Sequence, residues 1–144
     1  MSSEPILRMV MKPLDALSRL KRFDVEEKQR KVSEIEAMIG DFNQMANDLD
    51  RQIAVEQERA GTSDTNHYAY PTFAKAAIQR RDNLLASAAD LEAKLANARE
   101  TLAEAFEELK KIELLDERDA ERIKIEQARA ERESVTGMPH RVAS

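Results

Sequence analysis

The sequence predicts an all-α fold, a long antiparallel coiled coil of two helices joined as a helical hairpin with frayed termini. Three observations predict it. Of the 144 residues, 35% are charged and 4% are aromatic, which is typical of long helices. Apolar residues recur at spacings of three and four along two long segments, as they do in the seam of a coiled coil. A single segment rich in turn-forming residues separates the two.

The first helix is expected to span residues 13–60. Pro13 suits the first turn of a helix, and Asp15 suits the positive end of its dipole. Residues 1–12 have no sustained apolar period, so we expect a disordered N-terminal extension. The seam begins with a leucine stripe, changes phase near Phe23 and then becomes regular. The stripe is Leu14, Leu17 and Leu20, and the regular seam is Val25, Lys28, Val32, Ile35, Ile39, Phe42, Ala46, Leu49 and Ile53.

A loop over residues 61–72 separates this helix from the second. Gly61 supplies the left-handed conformation that commonly ends a helix. Thr72 is expected to cap a second helix over residues 73–133. The seam of that helix is apolar for four heptads and fails after Ile112, where acidic residues interrupt it. It consists of Leu84, Ala88, Leu91, Leu95, Ala98, Leu102, Ala105, Leu109 and Ile112.

Charge favours an antiparallel pairing in which residue i faces roughly residue 133 − i. Residues 12–33 carry a net charge of +3, and the facing residues 100–121 carry −6. Opposite charges along the flanks of the seam favour this register. The tail, residues 134–144, is expected to be disordered. A hairpin of two helices buries one stripe on each, so we expect it to act within a larger assembly.

The sequence contains no pattern typical of an enzyme, and we predict no catalytic role, no cofactor and no metal. The two histidines, His67 and His140, lie in the loop and the tail, and there is no cysteine. No glycine-rich phosphate loop or nucleophile elbow is present. The net charge of −5 disfavours nucleic-acid binding. No apolar run approaches the roughly 18 residues of a membrane span, so we expect a cytoplasmic protein.

Three of the six aromatic residues lie in the loop and at its exit, namely Tyr68, Tyr70 and Phe73. Two interpretations are open. The rings either fold back over the open end of the hairpin or form a tip on which a partner docks.

Three segments of the sequence, whose residues helical periodicity does not dictate, resemble a known family. They are Met11–Phe23, His67–Ala77 and Arg80–Leu84. Together they resemble FliJ, the flagellar export protein, in its alphaproteobacterial branch, over about residues 11–133.

The resemblance implies an antiparallel coiled coil similar to the central stalk of rotary ATPases. Proteins of the FliJ type bind and stimulate the hexameric ATPase of flagellar type III export. They also contact the export gate in the membrane and the substrate chaperones. The resemblance therefore implies a cytoplasmic protein, peripheral to the inner membrane at the flagellar base through its partners alone.

On this interpretation the two ends of the hairpin bind different partners. The residues predicted near the ATPase ring are Arg19, Arg22, Gln127 and Glu131, and those predicted near the export gate are Tyr70 and Phe73. The alternative is a structural scaffold in which two hairpins dimerise into a four-helix bundle.

Overall fold

The computed structural model describes the backbone of residues 4–136 and the side chains of residues 14–136. It consists of two helices, α1 (Glu4–Ala60) and α2 (Thr72–Thr136). The helices pack against each other as a hairpin, and no strand occurs within the described range. The predicted all-α helical hairpin is confirmed.

The helices extend further than the sequence predicts. Because α1 begins at Glu4, the expected disorder of residues 1–12 is wrong for residues 4–12, and residues 1–3 lie outside the described range. Pro5 falls in the first turn, where its missing N–H costs nothing. Pro13 lies inside the helix, where proline costs about 3 kcal/mol. The residues between the two prolines are mostly good helix formers.

The end of α1 at Ala60 agrees with the prediction, whereas the two ends of α2 differ from it by one and three residues. The N–H of Lys75 donates to the carbonyl of Pro71 at 3.2 Å, so α2 begins one residue early, at Thr72. It ends at Thr136 instead of residue 133, so the predicted disordered tail begins too early. The remainder of that tail, residues 137–144, lies outside the described range.

Gly61 ends α1 as predicted, with φ at 72°. Its N–H donates to the carbonyl of Glu58 at 3.2 Å, and the N–H of Thr62 donates to the carbonyl of Gln57 at 3.2 Å. This pair of hydrogen bonds is the Schellman motif, which requires a left-handed residue at the position of Gly61.

All eighteen residues of the two predicted regular seams are buried or half-buried. The predicted phase shift near Phe23 is wrong, however. Leu20 is 61% exposed, whereas Ser18 is only 5% exposed and Lys21 is half-buried. The seam therefore continues toward the N-terminus at the same spacing through polar residues. In α2 it also continues past Ile112, because Asp116 and Asp119 are half-buried and Ile123 is buried.

The chain divides into two compact units. The turn unit is residues 27–103, and the terminal unit is residues 1–26 and 104–144. Ion pairs between the helices join Lys21 with Glu108 and Arg22 with Glu113 in the terminal unit, and Asp50 with Arg81 and Glu36 with Arg99 in the turn unit. In every pair the two residue numbers add up to between 129 and 135, which confirms the predicted register within each unit.

Candidate partner-binding surfaces

The seam of the terminal unit is partly polar. Its buried apolar side chains within the described range are Val25, Ala105 and Ile123. Polar residues at other seam positions are Ser18 and Lys21 on α1, and Asp116 and Asp119 on α2. Polar residues at seam positions specify register but weaken the association of the helices. The packing of the two helices therefore stabilises the terminal unit less than a fully apolar seam would.

The Lys21 ammonium donates a hydrogen bond to a carboxylate oxygen of Glu108 at 2.6 Å. This hydrogen bond and the charge of Glu108 raise the pKa of Lys21 above its usual value of 10.5. The same contact lowers the pKa of Glu108 below its usual value of 4.5. Because the ammonium meets this acceptor only in the observed register, the pair opposes a slip of one helix along the other.

The outer faces of the terminal unit carry apolar side chains that its seam does not use. Leu20 and Phe23 lie on one face of α1 and are both more than half exposed. On α2, Leu114 and Ile125 are also more than half exposed. Clustered exposed apolar residues of this size mark interaction sites more often than isolated ones do.

One face of α2 combines apolar and basic side chains in a stripe. The α2 stripe consists of Leu114, Arg118, Arg122, Ile125 and Arg129. Their spacings of four, four, three and four place them on one side of the helix. The last four of them line a shallow hollow of about 400 Å³ together with Glu121 and Glu126. Arg122 is bound to Asp119 at 3.4 Å. The stripe presents arginines within a segment whose other charged residues are mostly acidic.

The four residues predicted near the ATPase ring all lie in the terminal unit, but they do not form one cluster. Arg19 pairs with Asp15 at 3.1 Å, and Arg22 pairs with Glu113 at 3.4 Å. Gln127 is half-buried and Glu131 is exposed. Gln127 follows the partner of Arg22 by fourteen residues, about 21 Å along the helix. Leu114 and Ile125 are not among the predicted site residues, because their sequence pattern does not distinguish them from a solvated helix face.

Of the three loop aromatics, Tyr70 folds back over the hairpin, whereas Tyr68 and Phe73 are exposed. Tyr70 is 5% exposed, and its hydroxyl accepts a hydrogen bond from the side-chain amide of Gln57 at 3.1 Å. It covers the turn end of the hairpin, so its ring offers little surface to a partner. Tyr68 and Phe73 are exposed, by 95% and 57%. Of the two residues predicted near the export gate, Phe73 is the one that a partner could contact.

Phe73 borders a hollow of about 360 Å³ on the turn unit. This tip groove is lined by Arg51, Gln52, Val55, Glu56, Arg59 and Phe73. Val55 and Phe73 supply exposed apolar surface. The two arginines stand beside it and are bound to acids on their own helix, Arg51 to Asp48 at 3.9 Å and Arg59 to Glu56 at 3.3 Å.

The loop that presents these aromatics is held by its own hydrogen bonds. The N–H of Asp64 donates to the hydroxyl of Thr62 at 3.1 Å, and the N–H of Asn66 donates to the Asp64 carboxylate at 3.0 Å. The Nδ1 atom of His67 accepts the N–H of Ala69 at 3.1 Å. The His67 ring also stacks on Tyr68, with 4.5 Å between ring centroids. The exposed Tyr68 ring therefore stands on a turn with a defined backbone.

Comparison with known proteins returns no match: no family model, curated protein or solved structure is similar to this chain. Among the described residues, no group of three or more histidine, cysteine or acidic side chains is arranged to hold a metal ion. Over the same range, neither helix has a stretch long and apolar enough to cross a membrane.

Proposed function

We propose that this protein is a stalk and adaptor of the flagellar type III export ATPase, of the FliJ type. On this proposal it binds the ATPase ring, stimulates it, and links it to the export gate and the substrate chaperones. It is not an enzyme itself and requires no cofactor. It acts in the cytoplasm, at the inner membrane beneath the flagellum, and reaches the membrane only through its partners.

Two features support the proposal. The phrases Met11–Phe23, His67–Ala77 and Arg80–Leu84 resemble the family in places that a heptad pattern leaves free. The all-α hairpin agrees with the fold that this resemblance implies. The resemblance implies which partners the chain binds, and the surface chemistry of the terminal unit supports a role in docking.

The observation that carries it is the distribution of apolar side chains in the terminal unit. Its seam includes Ser18, Lys21 and Asp116, while Leu114 and Ile125 face outward. Leu114 and Ile125 are about half exposed, so burying the rest of each side chain against a partner is favourable by about 1 kcal/mol each. A unit of this kind gains from insertion into another protein, as a stalk in a ring does.

In the proposed mechanism the terminal unit contacts the ATPase subunits differently in different states of the ring. A ligand shifts a conformational equilibrium only when it binds one state better than another. The α2 stripe offers arginines that pair with acidic groups and leucine-size side chains that require a matching pocket. A ring state that provides both would be stabilised relative to one that provides neither.

The tip of the turn unit is the proposed contact for the export gate. Phe73 and Tyr68 supply exposed aromatic surface on an ordered turn. Aromatic residues are enriched at the centres of protein interfaces because they bury large areas with few rotatable bonds. The tip groove next to Phe73 gives that contact a defined shape.

The role of the α2 stripe is tested by replacing its two apolar residues with glutamate. We expect the double variant Leu114→Glu, Ile125→Glu to abolish stimulation of the purified export ATPase and to leave the helical circular dichroism unchanged. Leu85→Glu is the matched control, because Leu85 is an exposed leucine on the same helix within the turn unit. Equal stimulation by all three proteins would refute the proposed role of the stripe.

Arg19 and Arg22 are tested in the same assay. The variant Arg19→Glu, Arg22→Glu is expected to lose stimulation, because both side chains are exposed and cationic. Undiminished stimulation would remove them from the proposed contact while leaving the stripe to be judged separately.

The scaffold remains a second candidate because two methionines form an exposed pair. Met38 and Met45 are seven residues apart on one face of α1 and are both nearly half exposed. Such a pair suits the interior of a four-helix bundle. Sedimentation distinguishes the candidates: a stable dimer that Met38→Glu dissociates supports the scaffold, and a monomer supports the stalk.

A further inference from the structure

The turn unit contains a second hollow, on one side of the two helices and larger than the tip groove. This lysine groove has a volume of about 630 Å³. Its lining residues are Glu27, Lys28, Lys31, Ile35 and Met38 from α1, and Leu91, Lys94, Asn97, Ala98 and Thr101 from α2.

The floor of the lysine groove is apolar. Ile35 and Leu91 belong to the buried cluster of the turn unit, and Ala98 packs against that cluster. Because Ala98 has a small side chain, it leaves open space above the seam on this side of the two helices. Met38 is 46% exposed and provides a flexible apolar side chain that adapts its shape to an occupant.

The two sides of the groove carry cationic side chains. Lys31 on α1 and Lys94 on α2 have no ion-pair partner among the described residues. Other cations of the same unit are bound, for example Arg81 to Asp50 at 2.7 Å. Glu27, the one acid of the lining, is bound to Arg30 at 2.6 Å. The groove therefore presents positive charge on both helices, and the one acid of its lining is already paired.

We propose that the lysine groove binds an amphipathic helix whose apolar stripe has carboxylates on both flanks. The apolar stripe would lie on the floor, as in the helix-in-groove mode of recognition. The carboxylates would meet Lys31 on one side and Lys94 on the other, as charges at the flanks of a coiled-coil seam do. This site goes beyond the proposed function, since neither the α2 stripe nor the tip groove includes any of its residues.

The dimensions of the groove favour a helix over a small molecule. Its lining spans residues 27–38 of α1, about 16 Å at 1.5 Å per residue. It spans residues 91–101 of α2, about 15 Å by the same measure. A docked helix would contact it over three turns and bury two or three side chains. The exposed side chains of Lys31, Met38 and Lys94 show that the hollow is open to solvent, as docking from the side requires.

The proposal is tested with a designed peptide and the full chain. The probe is a labelled 21-residue peptide with leucine at heptad positions a and d and glutamate at e and g. Repulsion among its glutamates keeps it from pairing with itself at neutral pH. We expect binding in a fluorescence anisotropy titration, weakened by added salt because the contacts include exposed charges. The same peptide with lysine at e and g is expected not to bind.

Charge reversal in the chain locates the site. The variant Lys31→Glu, Lys94→Glu is expected to weaken peptide binding at least tenfold. Met38→Glu, which places a carboxylate beside the floor, is expected to do the same. The matched control is Lys75→Glu, Lys110→Glu, an equal change of charge at exposed lysines outside the groove. It is expected to weaken binding less than twofold. Circular dichroism confirms that each variant folds.

Three outcomes would overturn the proposal. In the first, the acidic peptide binds no better than the basic one. In the second, the control variant loses as much affinity as the groove variants, which would indicate attraction to charge alone. In the third, the chain dimerises in sedimentation and the groove variants dissociate the dimer, which would make a second copy the occupant. The test contains no export ATPase, so its outcome is independent of the proposed function.

Discussion

The turn unit and the terminal unit are built from the same two helices but distribute their apolar side chains differently. Of the thirteen buried apolar residues in the described range, ten lie in the turn unit and three in the terminal unit. The terminal unit holds 46 of the 123 residues whose side chains are described, yet it contains seven of the thirteen large apolar residues that are exposed.

From this difference we expect the turn unit to stabilise the fold and the terminal unit to contact partners. Helices that share an apolar seam are held together by their own burial, whereas a polar seam contributes register more than stability. The turn unit is therefore expected to be the stable part of the chain. The terminal unit has apolar surface outside its seam and is expected to gain stability when a partner covers that surface.

The largest expected effect is the loss of a packed leucine from the turn unit. Leu95 is 4% exposed and packs with Ile35, Ile39 and Leu91. Truncation of a buried leucine to alanine typically costs about 2–5 kcal/mol, so Leu95→Ala should lower the free energy of unfolding by that amount. Urea unfolding followed by circular dichroism measures it. Leu85→Ala, at an exposed leucine of the same helix, should cost much less, and equal losses would contradict the burial pattern.

A gain of stability is expected when an apolar residue replaces a polar one in the terminal seam. Asp116 is half-buried at a seam position. Replacing it by leucine adds apolar burial and removes the desolvation of a carboxylate, and we expect Asp116→Leu to raise the free energy of unfolding by about 1 kcal/mol. Asp90→Leu, at an exposed position of α2, serves as the control. If Asp116→Leu is destabilising, the polar seam is not the weakness inferred here.

Two glycines of the turn unit should respond to alanine with opposite signs. Gly40 lies inside α1 with open space around its Cα, and Gly40→Ala should stabilise by about 0.5–1 kcal/mol. Gly61 adopts φ at 72°, where alanine is strained, so Gly61→Ala should destabilise by about 1 kcal/mol. Thermal unfolding of both variants measures the contrast. Shifts of the same sign would contradict the helix end described at Gly61.

The smallest effect concerns pH and the pair formed by Lys21 and Glu108. Since the pKa of Glu108 is lowered in the folded protein, its contribution is present above the usual value of 4.5 and is lost as pH falls through the folded pKa. Since the pKa of Lys21 is raised, its contribution is present below 10.5 and is lost as pH rises through the folded pKa.

The variant Glu108→Gln isolates this pair. The wild type should have the higher unfolding midpoint near neutral pH, and the difference should shrink toward zero in acid as Glu108 is protonated. Glu107→Gln, at an exposed neighbour, should show no such dependence. A difference between Glu108→Gln and the wild type that stays constant in acid would mean that the pair does not contribute through its charge.

Much of the fold could be predicted from the sequence because heptad spacing leaves few alternatives. The eighteen seam residues are buried or half-buried, and the ion pairs confirm the register in both units. Gly61 could also be predicted, because a left-handed helix end has few other solutions. These successes rest on apolar periodicity and backbone sterics, which act locally.

The predicted phase shift is wrong because polar residues occupy seam positions. Ser18 and Lys21 continue the seam, but a search for apolar residues follows Leu17 and Leu20 and finds a change of phase. The early start of α1 is not predicted because residues 1–12 have no sustained apolar period, although good helix formers precede Pro13. Among the loop aromatics, Tyr70 is buried with its hydroxyl bound to Gln57, a contact across the turn that no local pattern encodes.

Amide hydrogen exchange, measured by mass spectrometry on the chain alone and with the export ATPase, tests most directly whether the turn unit is the stable part and the terminal unit the part that a partner stabilises. In the free protein we expect residues 27–60 and 72–103 to be strongly protected and residues 14–26 and 104–131 to exchange faster. Addition of the ATPase should slow exchange in the second set and leave the first unchanged. Uniform protection of the free chain, or an ATPase that leaves residues 14–26 and 104–131 unaffected, would contradict the account.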